Sequence, residues 1–272
     1  MIKEEGIELN GFETVYSISE VEKPAVTVIF IHGFPFNKET WNKQLSDLPN
    51  QVQGIAYDIR AQGKSGSGHG FLSIDLFAAD LLQLIDQLKI ESKIVLCGLS
   101  MGGYIALRAM ELSNKIDGLI LCDTNSEADS NEGKLNRFKS IEKLQNGGKL
   151  AFAEEFLKKV LSEITLSDKP ELASSVLNMI LANSENAISA TQLALASRTE
   201  TSSALKNIEV PGLIIRGNED KLMTEKQANF LVTEIPDAEL VQIPDSGHLP
   251  NLENPAEFNQ HLHYFLTKHF LS

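Results

Sequence analysis

Residues 94–110, IVLCGLSMGGYIALRAM, decide the fold. Ile94 to Cys97 form an apolar run of the kind that fills a strand buried on both faces. From Met101 to Leu112 the spacing is that of a helix. Between them stands Gly98-Leu99-Ser100-Met101-Gly102, a G-x-S-x-G pattern in its required setting of strand, sharp turn and helix. Such a turn strains the serine backbone, and small neighbours at Gly98 and Gly102 relieve the crowding. Gly103 extends the small surface and lets the helix pack closely. The Ser100 hydroxyl then projects above a sheet at a helix N-terminus, where the dipole favours developing negative charge. A bare G-x-S-x-G arises by chance. Its placement between strand and helix makes Ser100 a candidate nucleophile rather than a plain turn residue.

Outward from this stretch, strand and helix alternate. Residues 25–31 (AVTVIFI), 52–58, 93–98, 116–122, 210–216 and 238–243 read as buried strands. Residues 7–19 read as a hairpin around Asn10-Gly11, a dipeptide that tolerates the positive φ angles of a type I′ turn. Helices are predicted over 73–88, 101–112 and 255–270. This order implies an α/β fold, a mostly parallel central sheet flanked by helices and joined by right-handed crossovers. Alternation stops between Thr124 and Lys206. There the pattern predicts helices near 132–146, 149–163, 169–183 and 185–198, punctuated by Asn146-Gly147-Gly148 and Ser167-Asp168-Lys169-Pro170. We read residues 1–124 and 206–272 as one core, and 125–205 as a helical cap inserted over one end of its sheet. A separate second domain fits less well, because both ends of the insertion must meet the same sheet.

Composition narrows the function classes. The chain has 272 residues, 42% of them hydrophobic, enough for a sizeable core. Its 37 Asp and Glu against 24 Lys and Arg give a net charge of −13. Such a surface repels phosphate backbones and anionic lipid, which argues against nucleic-acid or membrane partners. The start, MIKEEGIELNGF, carries charges where a signal peptide needs an apolar stretch, and no run is long enough to span a bilayer. Cys97 and Cys122 sit in apolar strand runs and read as reduced core thiols, so a cytoplasmic location is the default expectation.

Four further segments, taken with the serine turn, make the chain resemble the α/β-hydrolase superfamily. His32-Gly33-Phe34-Pro35 follows the first long strand, as the family's oxyanion loop does. Asp58-Ile59-Arg60-Ala61-Gln62-Gly63-Lys64-Ser65 is similar to the family's D-x-R-G-x-G-x-S segment, with Ala61 where glycine is usual. Gly217-Asn218-Glu219-Asp220 and Ser246-Gly247-His248 stand where the family carries its acid and its histidine. The order Ser, Asp, His is that of this fold. Within the superfamily, HGFPFN, CGLSMGGYIAL and LCDTNSEAD resemble small capped carboxylesterases and enol-lactonases. The resemblance implies acyl chemistry on a small ester or lactone, without metal or organic cofactor.

The roles follow from the chemistry. Ser100 needs a base to take its proton, and His248, in a loop after a strand, fits. Asp220 would hold the imidazole, with Asp123, after the earlier strand LILC, as the alternative. Asp58 reads as an ion-pair partner of Arg60, and Asp245 as a turn residue. The backbone N–H groups of Phe34 and Met101 would bind the oxyanion. His32 reads as an orderer of its loop. His69 lies in a Gly/Ser-rich loop, His261, His263 and His269 lie on the last helix, and no histidine–carboxylate spacing suggests a metal site. Phe34, Phe36 and Trp41 fit either a pocket wall or the core. The triad does not separate ester or lactone cleavage from C–C hydrolysis of diketones. The fold also hosts small-molecule receptors.

Overall fold

The computed structural model describes residues 2–68 and 70–271. In chain order the elements are β1 (Ile2–Leu9), β2 (Phe12–Ser19), β3 (Val26–Ile31), α1 (Asn42–Leu45), β4 (Val52–Tyr57), α2 (Ile74–Gln87), β5 (Lys93–Leu99), α3 (Met101–Leu112) and β6 (Gly118–Cys122). Then come α4 (Asn131–Gln145), α5 (Lys149–Val160), α6 (Glu163–Asp168), α7 (Pro170–Ala182) and α8 (Glu185–Ala196). The chain closes with β7 (Gly212–Gly217), α9 (Glu225–Glu234), β8 (Ala238–Ile243), α10 (Pro250–Glu253) and α11 (Pro255–Phe270). The eight strands form one sheet in the order β1-β2-β4-β3-β5-β6-β7-β8. The β1/β2 and β2/β4 pairs are antiparallel, and every pair from β4 to β8 is parallel. The predicted class, a mostly parallel α/β sheet, is the observed one.

The continuous apolar strands explain the layering. Side chains alternate across a strand, so Val28 and Phe30 face one side of β3 while Ile29 and Ile31 face the other. One side is covered by α2, α3 and α9, through Phe77, Leu81, Ile105 and Leu231. The other is covered by α11 and the α1 region, through Phe258, Leu262, Phe265 and Trp41. Each such buried side chain contributes roughly 1.5–3 kcal/mol. At the hairpin, Asn10 and Gly11 have φ of 48° and 78°, the pair of positive angles the turn requires.

Five helices, α4 to α8, connect β6 to β7. The sequence reading has four helices here and lacks α6. That helix has six residues and an apolar pattern too short to show a period. It starts because the Ser162 side chain accepts the Thr165 N–H. The helices are tied to the sheet end by polar contacts. Asn183 donates to Pro35 O at 2.8 Å and accepts from Gly63 N–H at 2.9 Å. His248 N–H donates to Val160 O, at the end of α5, at 2.8 Å. Among the described residues, no helix is long and apolar enough to cross a membrane.

Candidate active site

Strands β5, β6, β7 and β8 lie side by side and parallel, so their carboxyl ends open along one edge, where ligands gather in such sheets. Ser100 follows β5, Asp123 follows β6, Asp220 lies just beyond β7, and His248 lies on the loop after β8. Topology alone therefore brings four segments far apart in sequence to one place.

Ser100 has φ 52° and ψ −114°, a conformation that costs a non-glycine residue about 1–3 kcal/mol. It is over-determined by its bonds. Its N–H donates to Cys122 O at 2.8 Å, and its carbonyl accepts from Thr124 Oγ1 at 2.7 Å and from Gly103 N–H at 2.9 Å. The flanking glycines are required by space. A Cβ on Gly102 would stand 2.1 Å from Ile31 O, and one on Gly98 would stand 2.3 Å from Gly102 O. Any side chain there pushes α3 away from the sheet.

The loop after β3 packs against this turn. A Cβ on Gly33 would meet Ser100 Cβ at 3.2 Å. His32, fully buried, bonds Gly33 O through Nδ1 at 2.9 Å and accepts the Ile59 N–H at Nε2 at 3.1 Å. That pair of bonds selects the neutral Nδ1–H tautomer. Burial, the larger influence, holds its pKa below the ordinary histidine value despite nearby Asp58. Both ring nitrogens are occupied in ordering the loop. Among the described residues, the N–H groups of Phe34 and Met101 meet no hydrogen-bond acceptor.

His248 is 1% exposed, and its Nδ1 lies 2.8 Å from Asp220 Oδ2. Asp220 Oδ1 accepts the Leu222 N–H at 2.7 Å. Burial pushes the Asp220 carboxyl up, but the His248 charge and these hydrogen bonds outweigh it and hold the pKa below the usual carboxylate range. No hydrogen bond joins Ser100 Oγ to His248. Asp123 makes no hydrogen bond to His248 either. Its Oδ1 accepts the Gly217 N–H at 2.9 Å, and its Oδ2 is buried without a donor among the described residues. Asp123, Asp220 and His248 each offer a donor atom within 4.8 Å of the others. The direct 2.8 Å bond is shorter than the roughly 3.3 Å that separates ligands around a tetrahedral ion.

Glu253, absent from the sequence reading, anchors the histidine loop. It is 1% exposed and accepts from Gly247 N–H at 2.9 Å, Leu249 N–H at 3.3 Å and Ser162 N–H at 2.8 Å. Gly247 and Leu249 flank His248. Glu253 sits in the four-residue α10, where no periodicity could have marked it.

Ser100 and Phe34 line a cavity of about 400 Å³. Met101, Phe156 and Leu222 give it apolar wall, and Asn125, Glu127 and Gln227 give it polar wall. Phe34 stands 5.9 Å from Phe156, ring centre to ring centre and edge to face. Arg198 closes one side: it pairs with Asp129, donates to Glu127 O at 2.9 Å and lies 4.2 Å over the Tyr104 ring. Arg137 joins the same carboxylate. Burial pushes Asp129 up, but the two arginines hold it below its usual range.

The remaining candidates lie elsewhere. Phe36 and Trp41 are core residues. Asp58 does not pair with Arg60. It accepts the N–H groups of Lys38 and Lys64 and faces the buried Lys38 ammonium at 3.4 Å, whereas Arg60 is taken by Asp80. The positive φ of 65° at Ala61 turns the chain back so that the Lys64 N–H reaches Asp58, while Lys38 comes from the loop after β3. Asp245 is a turn residue with φ 55°. His261 faces Glu257 on α11, and His263 bonds Asp47 O. His69 lies outside the described residues. Cys97 and Cys122 are free, buried and 4.0 Å apart at sulfur. A larger open groove of about 790 Å³, beside Lys38, Lys64 and α7, contains none of the candidate catalytic groups.

This chain is similar to known proteins along nearly its full length. It is 24% identical over 247 residues to 3-oxoadipate enol-lactonase 2 of Acinetobacter baylyi, covering 89% of this chain and 88% of that one. A thermophilic esterase from Thermogutta terrifontis superposes with a TM-score of 0.90 at 30% identity, over 98% of this chain and 99% of that one. The enol-lactonase from Burkholderia xenovorans superposes with a TM-score of 0.88 at 25% identity, over 97% and 100%. The sequence profile of the Alpha/beta hydrolase family matches residues 28–261. A strand–serine–helix turn on a mostly parallel sheet, matched by that profile over most of the chain, means that this protein belongs to the alpha/beta hydrolase family.

Proposed function

We propose that this protein is a serine hydrolase that cleaves a small carboxylic ester or lactone through an acyl-enzyme. The observation that carries the reading is Ser100, held at a strained backbone angle and lining the 400 Å³ cavity. Its volume lies near the lower end of the range for small-molecule sites, and its mixed wall suits a compact ester with some polar groups.

In the first step His248 Nε2 takes the Ser100 proton as Oγ attacks the carbonyl carbon. The carbonyl electrons move onto oxygen, where the unpaired N–H groups of Phe34 and Met101 stabilise them. Collapse expels the alkoxide, which takes the proton from His248. Water then attacks the acyl-enzyme by the same route in reverse. Asp220 keeps the imidazole in the tautomer that leaves Nε2 free and stabilises its cation. The Ser100–His248 hydrogen bond forms on substrate binding, since catalytic bonds are often long or misaligned without substrate. Residues 125–205 act as a cap, closing the cavity through Phe156 and Arg198. The esterase and enol-lactonase relatives support this substrate class.

A panel of p-nitrophenyl acetate and butyrate, simple lactones and a vinylogous diketone tests the reading. Ester or lactone turnover is expected, with kcat falling about 10⁴-fold or more in Ser100→Ala at unchanged melting temperature. Turnover of the diketone alone would move the assignment to C–C hydrolysis. No turnover of any member would remove the enzymatic reading.

A further inference from the structure

We propose that Asp123 is a positioning residue that carries its own proton on Oδ2 and donates it to the Asp220 carboxylate. The inference rests on the reading of Asp220 and His248 as acid and base, and it gives Asp123 a role distinct from theirs.

The argument begins with the ladder. β6 and β7 pair in parallel with Cys122 opposite Ile215. Asp123 N–H donates to Ile215 O at 2.9 Å, one step past the end of β6. The chain then turns at a φ of 43°, which leaves the Asp123 side chain against the start of the Asp220 loop. Gly217 N–H holds Oδ1 at 2.9 Å. Oδ2 is buried and, as an ionised acceptor, has no donor among the described residues. Asp220 and His248 stand within 4.8 Å, and Cys122 is its neighbour in the chain. A buried carboxylate oxygen with no donor is costly, and a second buried carboxylate beside it adds repulsion. One proton between the two removes both problems.

The proton belongs on Asp123. Asp220 has an imidazole N–H and the Leu222 N–H to stabilise its charge, whereas Asp123 has, among the described residues, only the Gly217 N–H. Burial and the neighbouring Asp220 charge push the Asp123 carboxyl well above the usual range, in agreement with the geometry. Protonated, Oδ2 becomes a donor. Asp220 then receives hydrogen bonds from three sides and cannot swing away from His248.

Asn reproduces this arrangement, because its Oδ1 accepts from Gly217 and its Nδ2 donates to Asp220. It also tolerates a positive φ. Infrared difference spectra at neutral pH between the wild-type protein and Asp123→Asn read the proton directly. A protonated-carboxyl carbonyl band should be present in the wild type and lost in the variant. Loss of ionised-carboxylate bands instead overturns the proposal, whether or not the protein turns over esters. A second readout uses the low-field proton resonance of the His248–Asp220 bond and kcat on a reactive ester. Asp123→Ala should shift that resonance and lower kcat about tenfold, and Asp123→Asn should recover most of both. Equal loss in the two variants would contradict donation to Asp220. Should Asp123→Ala not fold, the infrared comparison decides alone.

Discussion

Ala61 shows how one residue carries a cost that the rest of the fold absorbs. Its φ of 65° lies in the left-handed region, which costs a residue with a Cβ about 1–2 kcal/mol. The chain accepts it because the turn brings the Lys64 N–H onto the buried Asp58 carboxylate, which the Lys38 N–H of the loop after β3 also holds. Glycine would relieve the strain but gain freedom in the unfolded chain, worth about 0.4–1 kcal/mol in the other direction. The net expectation for Ala61→Gly is a stabilisation of about 0.5–1 kcal/mol, seen as a melting temperature higher by about 1–4 °C. A lower melting temperature would show that the Ala61 methyl group packs more than the strain costs. At this scale the sequence was readable where one residue type has one use. Gly98 and Gly102 around a serine state a steric requirement. Asp58 beside Arg60 does not state a partner, because pairing depends on which elements the fold brings near, and Asp80 of α2 reaches Arg60 first.

At the scale of elements, long periodic segments were legible and short ones were not. α3, α11 and β8 begin and end at the predicted residues, since each has a full pattern and a clear stop. α6 and α10, with six and four residues, have no pattern to read, yet α10 carries the residue that fixes the histidine loop. Glu253 accepts three N–H groups, two of them flanking His248 and one leading into α6. Glu253→Ala removes a buried acceptor and leaves those donors unpaired. We expect a loss of about 2–4 kcal/mol in urea unfolding, together with a lower kcat from a loosened His248 loop. Glu253→Gln keeps one accepting oxygen and should fall between. A change within about 0.5 kcal/mol and an unaltered kcat for Glu253→Ala would mean that the loop is held by the Val160–His248 backbone bond instead.

For the whole molecule, the site is a product of topology. Four parallel strands in the order β5-β6-β7-β8 deliver Ser100, Asp123, Asp220 and His248 to one sheet edge, although the first and last are far apart in sequence. The serine and the histidine could be placed at strand ends beforehand because the alternation of strand and helix predicts where each strand ends. Asp220 is preferred to Asp123 in the sequence for its place after a late strand, and the loop path in the structure brings Asp220 rather than Asp123 into hydrogen-bond contact with the imidazole. The cavity wall formed by Arg198, Asp129 and Arg137 was hidden, since it joins a helix end to a loop across the insertion. The central claim is that the strained serine at this edge is a nucleophile activated by His248. Reaction with a fluorophosphonate, followed by peptide mass mapping, tests it most directly, because the Ser100 oxygen displaces fluoride and keeps the phosphonyl group. The account predicts one adduct per chain on the peptide bearing Ser100, formed about 10²-fold or more slowly in His248→Ala. An adduct on another residue, or none at Ser100 in a protein that hydrolyses esters, would contradict it.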